Sequence, residues 1–315
     1  MGVQAKPRRL VAGMTLGVIA PSSPVRTPGK VERGLARLEQ LGFEVVLGAH
    51  VHETYGFLAG ADAARADDLL TMLERDDVDA VVCLGGGYGA ARTIQALDLD
   101  RLRRLRRGPV KPFVGYSDIT VLHALLQHEL HWTTFYGPMI SSFADATAYT
   151  LEAFRQALMT AEPFLIHSAP DGPPLQTLVG GRAQGVLVGG CLSLMVSLVG
   201  TPWAWDLREK IVFFEDVGEQ PYRIDRMLTQ LIMAGGLTEC AGIVIGEHVD
   251  CEPREPHKSL RLEQVFADLL RPLGVPMLYG LPIGHGHHLA TLPVGARVEL
   301  DASGQQLRFL EPGVL

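Results

Sequence analysis

Seven residues, Val78-Asp-Ala-Val-Val-Cys-Leu84, constrain the fold more than any other stretch of this 315-residue chain. They form a near-continuous apolar run of strand length, followed at once by Gly85-Gly-Gly-Tyr-Gly89. A strand that is apolar on both faces needs cover on both faces, which is the situation of a central parallel strand between helical layers. The flanking segments supply those layers. Leu16 to Ala20 reads as a first strand that ends in the turn Pro21-Ser-Ser. Val31, Leu35, Leu38 and Leu41 recur at helical spacing, with Gly42 as a stop. Phe43 to Leu47 reads as a second strand, Ala61 to Leu73 as an amphipathic helix, and Ala90 to Leu97 as the helix after the glycine loop. Repeated βα units of this length imply a parallel sheet with helices on both sides. Ligands bind such sheets beyond the carboxyl ends of their strands, where Ser22, Ser23, the glycine loop and Ser117 all fall.

The pattern changes near residue 150. Pro163, Pro170, Pro173 and Pro174 mark a linker. Short strands follow at 185–188, 211–215, 243–246 and 297–300, with helices at 192–198, 222–233 and 260–270 between them. The expected class is α/β. A Rossmann-like or flavodoxin-like parallel-sheet domain spans 1–150, a linker 151–180, and a smaller, β-rich α/β domain 181–315.

Composition excludes several function classes. The formal net charge is −7, so the chain as a whole is no electrostatic partner for nucleic acid. The basic run Arg101 to Lys111 is read as a solvated helix surface or loop. No apolar stretch reaches about 18 residues, so no membrane partner is expected. Cys83, Cys191, Cys240 and Cys251 form no C-x-x-C pair, which suggests free thiols in a reducing compartment. The N-terminal segment lacks a long apolar core, and the expected location is the cytoplasm.

Val-Gly-Tyr-Ser-Asp at 114–118 carries the first chemical signal. It closes an apolar strand and opens a helical segment, so the Ser117 hydroxyl stands clear of the backbone while the following amides point at whatever it attacks. A serine there is also an ordinary helix cap. A nucleophile needs a base, and the base needs an orienting group. Eleven histidines are available. His123, His128 and His131 lie on or just after the helix behind Ser117, whereas His285 sits in the glycine-flanked loop Leu281-Pro-Ile-Gly-His-Gly286. His285, His287 and His288 lack a nearby carboxylate or cysteine at familiar ligand spacing, so no metal is expected. Ile211-Val-Phe-Phe-Glu-Asp216 ends a buried strand in two acids. Glu215 or Asp216 can be fixed there and still reach a cleft, or can cap the next helix or pair with Arg223 or Arg226. The glycine loop can cradle a phosphate or supply amides to an oxyanion. It is neither G-x-G-x-x-G nor a P-loop, and no ribose-binding acid follows at about twenty residues, so no nucleotide cofactor is expected.

In this order the segments resemble the LD-carboxypeptidase family of serine peptidases, which includes muramoyl-tetrapeptide carboxypeptidases and microcin C self-immunity peptidases. The resemblance rests on Gly17 to Ser23, Phe57 to Gly60 with Arg65, Asp79 to Gly89 with Arg92, Phe113 to Thr120, and Tyr136-Gly-Pro138. It continues through Gly189-Gly190 with Leu192, Phe214 to Asp216, Tyr222 to Leu228, Gly284-His285 and Leu292 to Gly295. The resemblance implies a triad of Ser117 as nucleophile, His285 as base and Glu215 as the acid. It implies an oxyanion hole from the backbone amides of Asp118 and of Gly86 or Gly87, and Tyr88 of the same loop is a candidate substrate contact. It further implies a cytoplasmic, metal-free homodimer that hydrolyses an L,D bond of a small peptide, releasing the terminal D-alanine of murein tetrapeptide in cell-wall recycling, with a microcin-type peptidyl- or aminoacyl-nucleotide hydrolase as the alternative. A non-catalytic nucleotide- or peptide-binding α/β protein is the alternative outside the enzyme class. The chain departs from the family where Gly85 stands in place of a frequent arginine, and where Gly-His-His-Leu-Ala follows His285.

Overall fold

The computed structural model describes residues 4–315. Along the chain the elements are β1 (Thr15–Ile19), α1 (Lys30–Gln40), β2 (Glu44–Leu47), α2 (Asp62–Glu74), β3 (Ala80–Cys83), α3 (Ala90–Ala96), α4 (Leu99–Arg104), β4 (Phe113–Gly115), α5 (Thr120–Leu130), β5 (Thr134–Tyr136), α6 (Ile140–Phe143) and α7 (Ala148–Leu158). There follow β6 (Leu165–Ile166), β7 (Gln176–Val179), β8 (Arg182–Cys191), α8 (Leu192–Ser197), β9 (Lys210–Val217), α9 (Pro221–Met233), β10 (Gly242–Val249), α10 (Leu262–Leu269), β11 (Met277–Leu281), β12 (Leu292–Val294), β13 (Arg297–Asp301) and β14 (Gln306–Phe309). Two compact units result. Among the described residues, the first comprises 4–161, 291–295 and 312–315, and the second 162–290 and 296–311.

The first unit is built on a six-stranded sheet of order β12-β5-β4-β3-β1-β2. The five strands from the N-terminal part run parallel, and β12 adds antiparallel to β5. As the apolar run requires, every residue of β3 is buried. Chain order reverses between β1 and β3, which makes the carboxyl ends of these two strands the topological switch point of the sheet. The loop holding Ser22 and Ser23 and the loop Gly85–Gly89 follow these two strands. Helix α5 is buried at every position but His128. Helices α1 and α6 touch closely at Gly34, where a Cβ would land on the Ile140 carbonyl oxygen.

The second unit holds an eight-stranded sheet of order β6-β14-β13-β8-β9-β10-β11-β7. Its centre, β8-β9-β10-β11, is parallel, and antiparallel strands flank it on both sides. Val212, Phe214, Ile243 and Ile245 of the sheet pack with Leu192 of α8, Ile224 and Leu228 of α9, and Phe266 of α10. Helix α9 starts with Pro221 at its first turn, where the missing amide costs nothing.

The α/β class and the parallel first sheet are as expected from sequence, and three details differ. Residues 151–180, expected as a linker, hold most of α7 together with β6 and β7, which take both edges of the second sheet. Residues 291–295 and 312–315 group with the first unit, because β12 pairs with β5 and the Leu315 carbonyl accepts from the Arg9 amide at 3.0 Å. The basic run is not simply solvated: Arg101 pairs with Glu74 and Asp67, Arg103 with Glu129, and Lys111 is buried against the Arg75 carbonyl. Cys83, Cys191, Cys240 and Cys251 are buried and form no disulfide. Among the described residues no helix is long and apolar enough to cross a membrane.

Gly34→Ala forces a methyl into the α1–α6 contact and should lower stability by about 1–3 kcal/mol, as overpacking does. Urea denaturation reads this as a lower midpoint at unchanged slope; an unchanged midpoint would mean the helices do not approach this closely.

Candidate active site

Each unit carries one cluster of the residues singled out from sequence. In the first unit, β4 ends at Gly115 and a single 3₁₀ turn, Ser117–Ile119, leads into α5. Ser117 sits at the junction with φ 63°, in the left-handed region that residues other than glycine seldom enter. The turn therefore stores strain, and the neighbouring groups hold it. The Ser117 amide donates to the Tyr136 hydroxyl at 3.1 Å. The buried Asp118 carboxylate accepts from the Ser22 hydroxyl at 2.6 Å and from the Ala90 amide at 2.8 Å. Asp118 thereby ties the turn to the loops after β1 and β3. Burial pushes the Asp118 pKa up, while these hydrogen bonds and the Arg65 charge oppose the rise.

The glycine loop lies directly against this serine. A Cβ at Gly86 would come within 3.1 Å of the Ser117 Cβ and 3.2 Å of its Oγ. Gly87 has φ 101°, and a Cβ there would fall 2.6 Å from the Ser23 hydroxyl. That hydroxyl accepts from the Tyr88 amide at 3.1 Å, and the Gly86 carbonyl accepts from the Ser23 amide. Arg65 is buried and donates to the carbonyls of Pro21 and Gly89 and to the Thr93 hydroxyl. It locks the carboxyl end of β1 to the end of the glycine loop. Tyr88 is exposed, with its ring edge-on to Phe57 at 5.6 Å.

In the second unit, Glu215 near the end of β9 is fully buried, and its Oε2 accepts from Nδ1 of His285 at 2.8 Å. With Nδ1 donating, the lone pair stands on Nε2, the atom left to take a proton. The His285 side chain is 18% exposed. Burial pushes its pKa down, but the hydrogen bond and charge of Glu215, with Asp216 behind, more than offset this and hold it above the ordinary value. Gly284 makes room for the pair: its φ is 103°, and a Cβ there would land on the Glu215 carboxylate. Asp216, left open beside Glu215 in the sequence, turns elsewhere. It accepts from the Ser193 amide at 2.8 Å near the start of α8 and from the Val217 amide at 2.9 Å, while Arg223 pairs with Glu219.

The other histidines take other places. His123 is buried and donates from Nε2 to the Gly115 carbonyl at 2.9 Å; burial pushes its pKa down to about 4, so it is a neutral core residue under β4. His128 is half exposed, and His131 ends α5 in a left-handed conformation. His287 and His288 stack edge-on. Among the described residues no group of three or more His, Cys, Asp or Glu side chains is arranged to hold a metal ion. Tyr136 and Arg65 both lie in segments that carry the family resemblance, but no local pattern marks either for a role in the site.

Two family models match the chain, one described as the LD-carboxypeptidase N-terminal domain over residues 16–137 and one as its C-terminal domain over 184–300. A probable murein peptide carboxypeptidase of Bacillus subtilis is 40% identical, over 98% of this chain and 95% of that protein. A murein tetrapeptide carboxypeptidase of Pseudomonas aeruginosa is 32% identical, over 93% and 94%. The solved muramoyltetrapeptide carboxypeptidase of Oxalobacter formigenes superposes with TM-score 0.80 at 30% identity, covering 94% of this chain and 97% of that one.

Glu215→Gln removes the charge that holds the His285 imidazole above its ordinary pKa and leaves the opposing burial in place. NMR titration should therefore show the His285 pKa falling in the variant. An unchanged titration would mean that Glu215 does not govern this imidazole.

Proposed function

This chain belongs to the LD-carboxypeptidase family, and on that premise we propose that it is a serine carboxypeptidase that hydrolyses an L,D-peptide bond, releasing the terminal D-alanine of a murein tetrapeptide. The observation that carries the serine assignment is the backbone of Ser117, a non-glycine residue held at φ 63° on a strand-to-helix turn with Gly86 against its hydroxyl. Such strain persists only where its surroundings enforce it, and it clusters where a side chain must be presented for chemistry.

In this reading the Ser117 hydroxyl attacks the carbonyl before the terminal D-residue. His285 Nε2 takes the hydroxyl proton and returns it to the leaving amine. Glu215 fixes the tautomer and stabilises the imidazolium without taking the proton itself. The backbone amides of Asp118 and of Gly86 or Gly87 receive the developing oxyanion, a donor of this kind being worth about 10²–10³ in rate. The acyl-enzyme is resolved by water, activated through the same imidazole. Tyr88, exposed at the rim of the glycine loop, contacts the substrate. Gly85 leaves that rim without the cationic side chain frequent in the family. The base works only as neutral imidazole, so turnover rises as pH climbs through the His285 pKa. We place the enzyme in peptidoglycan recycling, in the cytoplasm, as a homodimer that uses no cofactor.

Ser117→Ala should cut turnover by about 10⁴-fold or more, because triad members act as a unit, while leaving the thermal unfolding midpoint near that of the parent. Mass spectrometry of products from murein tri-, tetra- and pentapeptides, beside an aminoacyl-nucleotide analogue, reads both the residue and the substrate. Parent-rate release of D-alanine by Ser117→Ala would overturn the nucleophile. Cleavage of the nucleotide analogue alone would overturn the substrate.

A further inference from the structure

One acid near His285 has no part in the scheme above. Opposite Glu215 the β9–β10 ladder is irregular: Ile245 pairs with Phe214 and His248 with Asp216, so Gly246 and Glu247 together face Glu215. The β10–β11 ladder shifts at the same place, where Gly246 pairs with Leu281 and Gly280 is left over. Bulges of this kind re-aim side chains and gather beside active sites. Here the bulge brings Glu247 against both sides of the His285 loop. Its amide donates to the Ile283 carbonyl at 3.3 Å, two residues before His285. Its carboxyl reaches the residue after His285, since a Cβ at Gly286 would land on Glu247 Oε2. That oxygen is buried and makes no hydrogen bond within the described residues.

We propose that Glu247 is a positioning residue for the hydrolytic reaction, seating the loop that carries His285 while it is a neutral acid and loosening that seat when it ionises. The proposal rests on the serine-carboxypeptidase reading for its link to turnover. The titratable groups around Glu247 are Glu215 and Asp216 on β9, His248 on its own strand, Tyr279 on β11, His285 and His287 on the loop, and Glu263 on α10. Glu247, His248, Glu263, Tyr279, Gly286 and His287 line a common cavity of about 430 Å³. Among the described residues no lysine or arginine lines this cavity to stabilise an ionised Glu247. His248 is held neutral, its pKa pushed down to about 4 by burial. Glu215 spends its charge on His285 and repels a second anion. Burial first, and the Glu215 charge second, push the Glu247 pKa up from 4.5 to about 7. The sign follows directly. In the unfolded chain Glu247 ionises freely, while the folded protein holds its proton, so the stabilising contribution is complete below about pH 4.5 and is lost as pH rises toward about 7.

Glu247→Gln keeps the shape and cannot ionise. Relative to the parent it should have the same unfolding midpoint at pH 4 and a higher one at pH 8. Its kcat/KM for tetrapeptide should lack a decline that the parent shows above about pH 7, with the difference in kcat rather than KM. Coincident stability and kinetic profiles would overturn the proposal. A stability difference with coincident kinetic profiles would also overturn it, since Glu247 would then be structural only. Should the variant not fold, carboxyl-carbon NMR of the parent gives the answer: titration near neutrality supports the proposal and titration near 4.5 overturns it. The stability and NMR readouts need no turnover, so failure of the serine reading, seen as undiminished D-alanine release by Ser117→Ala, remains distinguishable.

Discussion

A serine at φ 63° is the constraint around which the first unit is arranged. Left-handed backbone costs a non-glycine residue on the order of 1–3 kcal/mol, and the fold must supply that from elsewhere. The supply is visible in named bonds. Tyr136 accepts the Ser117 amide, and Asp118 spends its buried carboxylate on Ser22 and Ala90. Arg65 clamps the two loops at the topological switch point. Gly86 is needed because any side chain there would crowd the serine itself. The loops at the carboxyl ends of the first and third strands are thereby tied into a mount for one hydroxyl.

The second unit solves a different problem, which is to seat a carboxylate where water is excluded. Glu215 is fully buried, and an unpaired charge there would be prohibitive. Its hydrogen bond to His285 Nδ1 provides the compensation and fixes the imidazole tautomer in the same act. Glycines make the pairing possible by removing atoms: Gly284 clears the carboxylate, and Gly246 clears both the Ile283 carbonyl and the Glu215 Cβ. Two ladder irregularities in adjacent strands then leave Glu247 beside the loop, where a second charge is unwelcome.

Much of this was legible in the sequence because it rests on local chemistry. Periodicity located the βα units, and the apolar Val78–Leu84 run fixed the parallel character of the sheet. The glycine loop and the Ser117 turn stand out by residue type and place, whereas Glu215 over Asp216, and His285 over the other histidines, follow only from the family resemblance. What stayed hidden depends on register and on distant pairings. Glu247 in Gly246-Glu-His-Val249 reads as an ordinary polar strand exit, because a bulge exists only relative to neighbouring strands. Strand β12 carries a proline and only three residues, and nothing local says that it joins β5. Strands β6 and β7 hide in a proline-rich stretch because edge strands need few ladder bonds. Lys111 looked solvated because charge patterning is blind to a backbone carbonyl waiting in the fold.

The most direct measurement on Ser117 is covalent labelling of the intact protein by a serine-directed electrophile, located by peptide mass spectrometry and followed against pH. A nucleophile activated by His285 predicts a single stoichiometric adduct at Ser117, formed faster as pH rises through the His285 titration and slowed in His285→Ala. An adduct on another residue, or labelling of Ser117 at a rate indifferent to both pH and His285, would contradict it.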